Sequence, residues 1–136
     1  MSRIPAPPII LIVDDDPEWR DFLCTTVGRR YPLLVATTGD EALEIATRFQ
    51  PALIVLDVVM PGGMDGFTTF CELRKRPETQ GIPVVMHTGV NAMSGTRFSK
   101  EPMAEYFGKA PAAFLEKPVE PDVLLEAIAR ALQEKS

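Results

Sequence analysis

Basic residues, histidine and cysteine are all scarce in this chain. Fourteen Lys and Arg stand against 19 Asp and Glu, a formal net charge of −5 over 136 residues. That balance weighs against a nucleic-acid-binding surface. There are two cysteines, Cys24 and Cys71, and a single histidine, His87. No Cys/His spacing resembles a zinc site. Both thiols fall in helical, apolar patterns and are expected to be buried and free, which suits a reducing cytoplasm. No apolar run reaches the ~20 residues that a membrane helix needs. Residues Met1 to Pro8 are too few and too rich in proline for a signal peptide, and read as an extended lead-in. Internal repeats are absent. With 46% hydrophobic and 24% charged residues, the rest has an ordinary globular composition, and its length suits one domain over residues 9–134.

What the chain does have is alternation. The candidate strands are Ile9–Val13, Leu33–Ala36, Leu53–Leu56, Val84–His87 and Ala113–Leu115. They are short, almost wholly apolar and rich in branched residues, as strands covered on both faces are. Helical patterns lie between them. Asp16-Pro17 is a cap followed by a proline where its missing N–H costs nothing, Trp19, Phe22, Leu23 and Val27 supply the apolar face, and Gly28 is the stop. Thr38 with Glu41 has capping-box spacing and opens a helix that Pro51 closes. Further helices are expected over 66–75 and 121–133. Such alternation implies a parallel sheet with helices on both faces, and ligands of such sheets bind outside the carboxyl ends of the strands.

Carboxylates collect at that edge. The first strand stops on Asp14-Asp15-Asp16 and the third on Asp57. Like charges that close repel one another, so their convergence calls for a cation, and oxygen ligands select a hard divalent ion such as Mg²⁺. Thr88 and Lys117 fall at or just after the ends of the fourth and fifth strands. His87 is expected to point opposite to Thr88, away from the site, as a structural residue. Trp19 reads as a packing residue of the first helix.

The order Asp14-Asp15, Asp57 with Met60-Pro61 and Asp65-Gly66, Thr88, and Lys117-Pro118 resembles the receiver domain of bacterial two-component response regulators. The likeness runs from Ile9 to Leu132. It implies a flavodoxin-like (βα)5 fold, a doubly wound five-stranded parallel sheet with five helices. It also implies that Asp57 accepts a phosphoryl group from a phosphohistidine on a sensor histidine kinase or histidine phosphotransfer protein. In the family's pattern, Asp15, Asp57 and the backbone carbonyl of Val59 ligate Mg²⁺, and Asp14 holds it mostly through water. Lys117 and Thr88 contact phosphoryl oxygens, and the amides of Val58 and Gly89 add donors. Thr88 and Phe114 form the switch, although Phe114 also reads as a plain core residue. The implied module is cytoplasmic, has a downstream protein target and engages neither nucleic acid nor membrane directly. It is not an enzyme on other molecules and catalyses only its own phosphorylation and dephosphorylation.

Three departures from the family pattern stand out. The Pro61-Gly62-Gly63-Met64 loop is one residue longer than usual. The stretch from Gly89 to Ala112 is lengthened and lacks a clean helix, which reads either as a tolerated insertion or as a modified output surface. Val59 and Val90 flank the phosphoryl position, and neither can orient an attacking water. Two other readings compete. One is a pseudo-receiver, an interaction module independent of phosphorylation. The other is an aspartate-nucleophile phosphatase of the haloacid-dehalogenase type, whose acid two residues after the nucleophile is here Val59.

Overall fold

The computed structural model describes residues 7–58, 66–89, 111–117 and 119–135. Five strands form one parallel sheet: β1 (Ile10–Val13), β2 (Leu33–Ala36), β3 (Leu53–Asp57), β4 (Val84–Gly89) and β5 (Ala113–Lys117). Their spatial order is β2-β1-β3-β4-β5. Four helices are present among the described residues: α1 (Pro17–Val27), α2 (Gly39–Phe49), α3 (Gly66–Lys75) and α4 (Pro121–Lys135). This is the flavodoxin-like, doubly wound arrangement expected from the alternation, with the strand order reversing direction at β1 and β3. Of the stretch Gly89–Ala112 expected to be irregular, Gly89 ends β4 and residues 90–110 lie outside the described residues.

The sheet is buried because its two faces carry separate cores. Leu11, Val13, Ile54, Leu56, Val84 and Met86 pack with Ala42, Leu43 and Ala46 of α2 and with Phe70 and Leu73 of α3. Ile10, Ile12, Leu53, Val55 and Val85 pack with Leu23 and Val27 of α1 and with Leu124, Ile128 and Ala131 of α4. Alternate residues of each strand feed opposite cores, so parity along a strand assigns every side chain a face. Cys24 and Cys71 are free and only half-buried. Burial still pushes the Cys24 thiol pKa up.

Helix boundaries follow the capping chemistry. The Asp16 carboxylate accepts from the Glu18 amide at 2.9 Å, and Pro17 occupies the first helical turn of α1. The Thr38 hydroxyl accepts from the Glu41 amide at 3.1 Å. The return arm of the expected capping box lands one residue earlier, where the Glu41 carboxylate accepts from the Thr37 amide at 2.7 Å. At the end of α2, Gln50 adopts the left-handed conformation, with φ 51°, ahead of Pro51. Its side-chain amide donates to the Ala46 and Thr47 carbonyls at 3.2 and 3.1 Å, satisfying acceptors that a helix end leaves open.

Helix α3 is fastened at both ends, and both fastenings bear on β3 and β4. At its start the Gly66 amide donates to the Val58 carbonyl at 2.8 Å. A methyl group on Gly66 would stand 2.5 Å from Val58 Cα and 2.8 Å from Val58 O, and would also collide with the Asp57 carbonyl oxygen. Only a residue without Cβ permits so close an approach of two backbones. At the other end Arg74, 8% exposed, lays its guanidinium over the Phe70 ring at 4.5 Å. It donates to the Gln80 and Ile82 carbonyls at 3.1 and 2.9 Å. The Thr79 hydroxyl donates to Leu73 O at 2.7 Å. Burial lowers the Arg74 pKa to about 10, which leaves it charged at neutral pH. The lead into β4 is thus pinned to α3 by charge-assisted bonds.

Two substitutions test these fastenings by urea unfolding. Gly66→Ala should cost about 2 kcal/mol, because backbone must move to admit the methyl group. Arg74→Ala should cost about 3 kcal/mol, because the buried Ile82 carbonyl and the part-buried Gln80 carbonyl lose their donor along with the stacking on Phe70. Midpoints equal to wild type would show that neither contact constrains α3.

A candidate acidic cation site at the strand ends

The register sets the site. Val13 pairs with Leu56 and Asp57 pairs with His87. The next residue of the β1 segment, Asp14, therefore stands level with Asp57. Asp14 follows Ile10 and Ile12 in parity, and Asp57 follows Leu53 and Val55. Both acids consequently belong to the face covered by α1 and α4. Asp14 is 0% exposed, Asp57 is 4% exposed and Asp15 is half-buried. One carboxylate oxygen from each of the three lies within 4.8 Å of the others.

Three carboxylates at that separation repel by roughly 3 kcal/mol per pair at an effective dielectric of 20. Local structure holds them there. Asp14 accepts from the Asp16 amide through Oδ1 at 2.9 Å, and its own carbonyl accepts from Arg20 Nη1 at 3.2 Å. The Asp14 amide donates to Ala36 O at 3.2 Å. The β1–α1 loop is thereby tied to α1 and to β2, while Asp57 is fixed as the last residue of a central strand. The chemistry of this donor set, all oxygen and all anionic, suits a hard divalent cation. A cation there would offset the repulsion that the fold imposes.

The other expected site residues have separate standings. Asp57, Thr88 and Lys117 lie within strands, because β3, β4 and β5 run one or two residues further than their apolar runs suggested. Thr88 is the penultimate residue of β4, and Lys117 the last of β5. Thr88 pairs with Glu116 and Gly89 with Lys117, so the backbone brings both to the same sheet edge as Asp57. Val59 lies outside the described residues. Phe114 pairs with Met86 and packs, half-buried, against the core on the α2 and α3 side, opposite to the acids.

His87 departs from expectation. It does not point away from the acids. It pairs with Asp57 in register, shares its face and is fully buried. Trp19 of α1 meets it edge-on, with ring centroids 5.4 Å apart and planes at 78°. Trp19 in turn meets Phe22 at 5.7 Å and 90°. His87 is not among the residues whose ligand atoms converge with the three carboxylates. Parity within β4 puts His87 opposite to Thr88, and only the register with β3 shows that it shares the face of Asp57.

Comparison with known proteins agrees with this geometry. The family model of the response regulator receiver domain matches residues 10–129. The chain is 37% identical over 124 residues to response regulator PleD of Caulobacter vibrioides, covering 90% of this chain and 25% of PleD. It is 31% identical over 120 residues to protein PilH of Pseudomonas aeruginosa, covering 88% of this chain and 93% of PilH. The chain spans a quarter or less of the length of the first curated relatives it matches, 25% for PleD and 18% for a probable cyclic di-GMP phosphodiesterase of Vibrio cholerae. Among solved structures, a putative response regulator from Chloroflexus aurantiacus superposes with a TM-score of 0.78 at 30% identity, covering 93% of this chain and 98% of that one. With five parallel strands in this order and three carboxylates gathered at their ends, the chain belongs to the response regulator receiver domain family.

Proposed function

We propose that this receiver domain is the phosphoacceptor of a two-component phosphorelay, with Asp57 as the residue modified. The observation that carries the reading is the convergence of Asp14, Asp15 and Asp57 within 4.8 Å of one another at the strand ends. An Asp57 carboxylate oxygen attacks the phosphorus of a phosphohistidine on a histidine kinase or phosphotransfer protein. The P–N bond breaks, the electron pair returns to the donor imidazole, and an acyl phosphate forms on Asp57. Asp15, Asp57 and the Val59 carbonyl would hold Mg²⁺ directly, with Asp14 acting through water. Bound Mg²⁺ supplies the positive charge that lets an anionic phosphoryl group approach three carboxylates.

The chain's own residues supply the rest. The Lys117 ammonium pairs with one phosphoryl oxygen and the Thr88 hydroxyl donates to another, with the Val58 and Gly89 amides as further donors. Water later attacks the phosphorus and regenerates the carboxylate. Phosphorylation biases a two-state equilibrium that Thr88 and Phe114 report to a protein target. Phe114 is half-buried at the margin of the core under α2 and α3. A cytoplasmic location goes with such a donor. No helix among the described residues is long and apolar enough to cross a membrane.

Beryllofluoride with Mg²⁺ mimics the acyl phosphate. It should shift the NMR signals of Thr88 and Phe114 in wild type and leave Asp57→Ala unchanged. Incubation with acetyl phosphate should add one phosphoryl group at residue 57 by mass spectrometry, and both EDTA and Asp57→Ala should abolish it. A folded wild type that takes up neither group would mark an interaction module independent of phosphorylation. Val59→Asn should shorten the lifetime of the phosphorylated form by roughly tenfold, less than a full general base contributes. An unchanged decay would contradict the role assigned to Val59.

A further inference from the structure

His87 and Trp19 form a brace on the acidic site, and its geometry assigns it a task. On β4, His87 is the in-register neighbour of Asp57. Neighbouring strands lie about 4.8 Å apart, so side chains on one face at one level abut. Asp57 is therefore flanked by Asp14 on its β1 side and by the buried imidazole on its β4 side. The imidazole is held in turn by the Trp19 edge at 5.4 Å. Trp19 stands on the first turn of α1, the turn capped by Asp16 and tied to Asp14 through the Asp16 amide and Arg20. Strand register thus links Asp57 to His87, ring packing links His87 to Trp19, and hydrogen bonds link the start of α1 back to the loop that carries Asp14 and Asp15.

We infer that His87 and Trp19 are positioning residues that fix the spacing between the β1 acids and Asp57, and so set the affinity of the site for a divalent cation. His87 is not among the converging ligand groups, so both rings would act from behind the carboxylates. The imidazole closes the β4 side of Asp57, leaving its carboxylate the β1 side, and the indole holds α1 against β4. The role needs aromatic bulk and an edge contact, and does not depend on the charge of His87. The inference rests on the cation-assisted phosphoacceptor reading above.

Mg²⁺ binding measured calorimetrically on the whole chain tests it, with urea unfolding as the control for folding. His87→Ala should weaken Mg²⁺ binding about tenfold, the low end of what groups behind metal ligands contribute. His87→Phe, which keeps the ring, should restore binding to within about twofold. Phosphorylation by acetyl phosphate should reach the wild-type rate in His87→Ala once Mg²⁺ saturates, separating cation affinity from chemistry. Trp19 is the only tryptophan, so its emission should change on Mg²⁺ addition in wild type and much less in His87→Ala. The Ala substitutions at 19 and 87 should be non-additive in Mg²⁺ affinity, since each removes the same contact. If His87→Ala does not fold, His87→Leu, of comparable volume without a ring edge, takes its place. A folded His87→Ala or His87→Leu variant that binds Mg²⁺ as wild type does, or strictly additive effects, would overturn the brace while leaving the phosphoacceptor reading intact. A wild type that binds no Mg²⁺ would overturn that reading and the brace with it.

Discussion

Mutual repulsion of three carboxylates at one sheet edge is the constraint on which the rest of this structure depends. Asp14, Asp15 and Asp57 come from segments more than 40 residues apart in sequence, and a parallel register brings them level. Local hydrogen bonds fix the loop that carries Asp14 and Asp15, but only the sheet sets that loop beside Asp57. The acids stay because β1 and β3 are central strands, buried on both faces, whose hydrophobic packing far outweighs the repulsion at their tips. The apolar cores thereby stabilise a cluster whose carboxylates repel one another, and a cation bound there would relieve that repulsion.

The two faces of the sheet divide the work. The face under α1 and α4 carries the acids together with His87 and Trp19. The opposite face, under α2 and α3, carries Phe114 at its margin. Helix α3 lies on that second face and connects β3 to β4. Its first residue, Gly66, lies directly on the backbone of Asp57 and Val58, and its last turn is anchored to the approach to β4 by Arg74. A change at Asp57 thus has short backbone routes to both β4 and α3. Rigid fastening at these points transmits a small displacement instead of absorbing it.

Much of this was legible in the sequence. The apolar runs located all five strands, and Asp16, Pro17 and Thr38 marked helix starts at the observed residues. Each of Asp14, Asp15 and Asp57 alone could cap a helix or open a turn, and they were recognisable as a group because acids end two buried strands at one sheet edge. Strand ends were less legible. Thr88, Gly89, Glu116 and Lys117 continue the ladder beyond the apolar residues, since backbone pairing does not require an apolar side chain. The side chosen for His87 failed for a related reason. Parity within β4 is visible in sequence, but its relation to β3 depends on register, and register is a tertiary property. Gly66 was noted as part of a motif, while its contact with Asp57 and Val58 needed the folded backbone. The return arm of the Glu41 cap shifted by one residue because a glutamate side chain reaches either of two adjacent amides.

The central claim is that one dication is shared by acids from two segments. Replacing Mg²⁺ by paramagnetic Mn²⁺ and recording amide line broadening by NMR tests it most directly, because broadening falls steeply with distance from the ion. Substoichiometric Mn²⁺ should broaden the signals of residues 14, 15 and 57 first and together, and excess Mg²⁺ should restore them. Broadening spread evenly over exposed acids such as Asp40, Glu44 and Glu126, or confined to residues 14 and 15 without 57, would contradict the account.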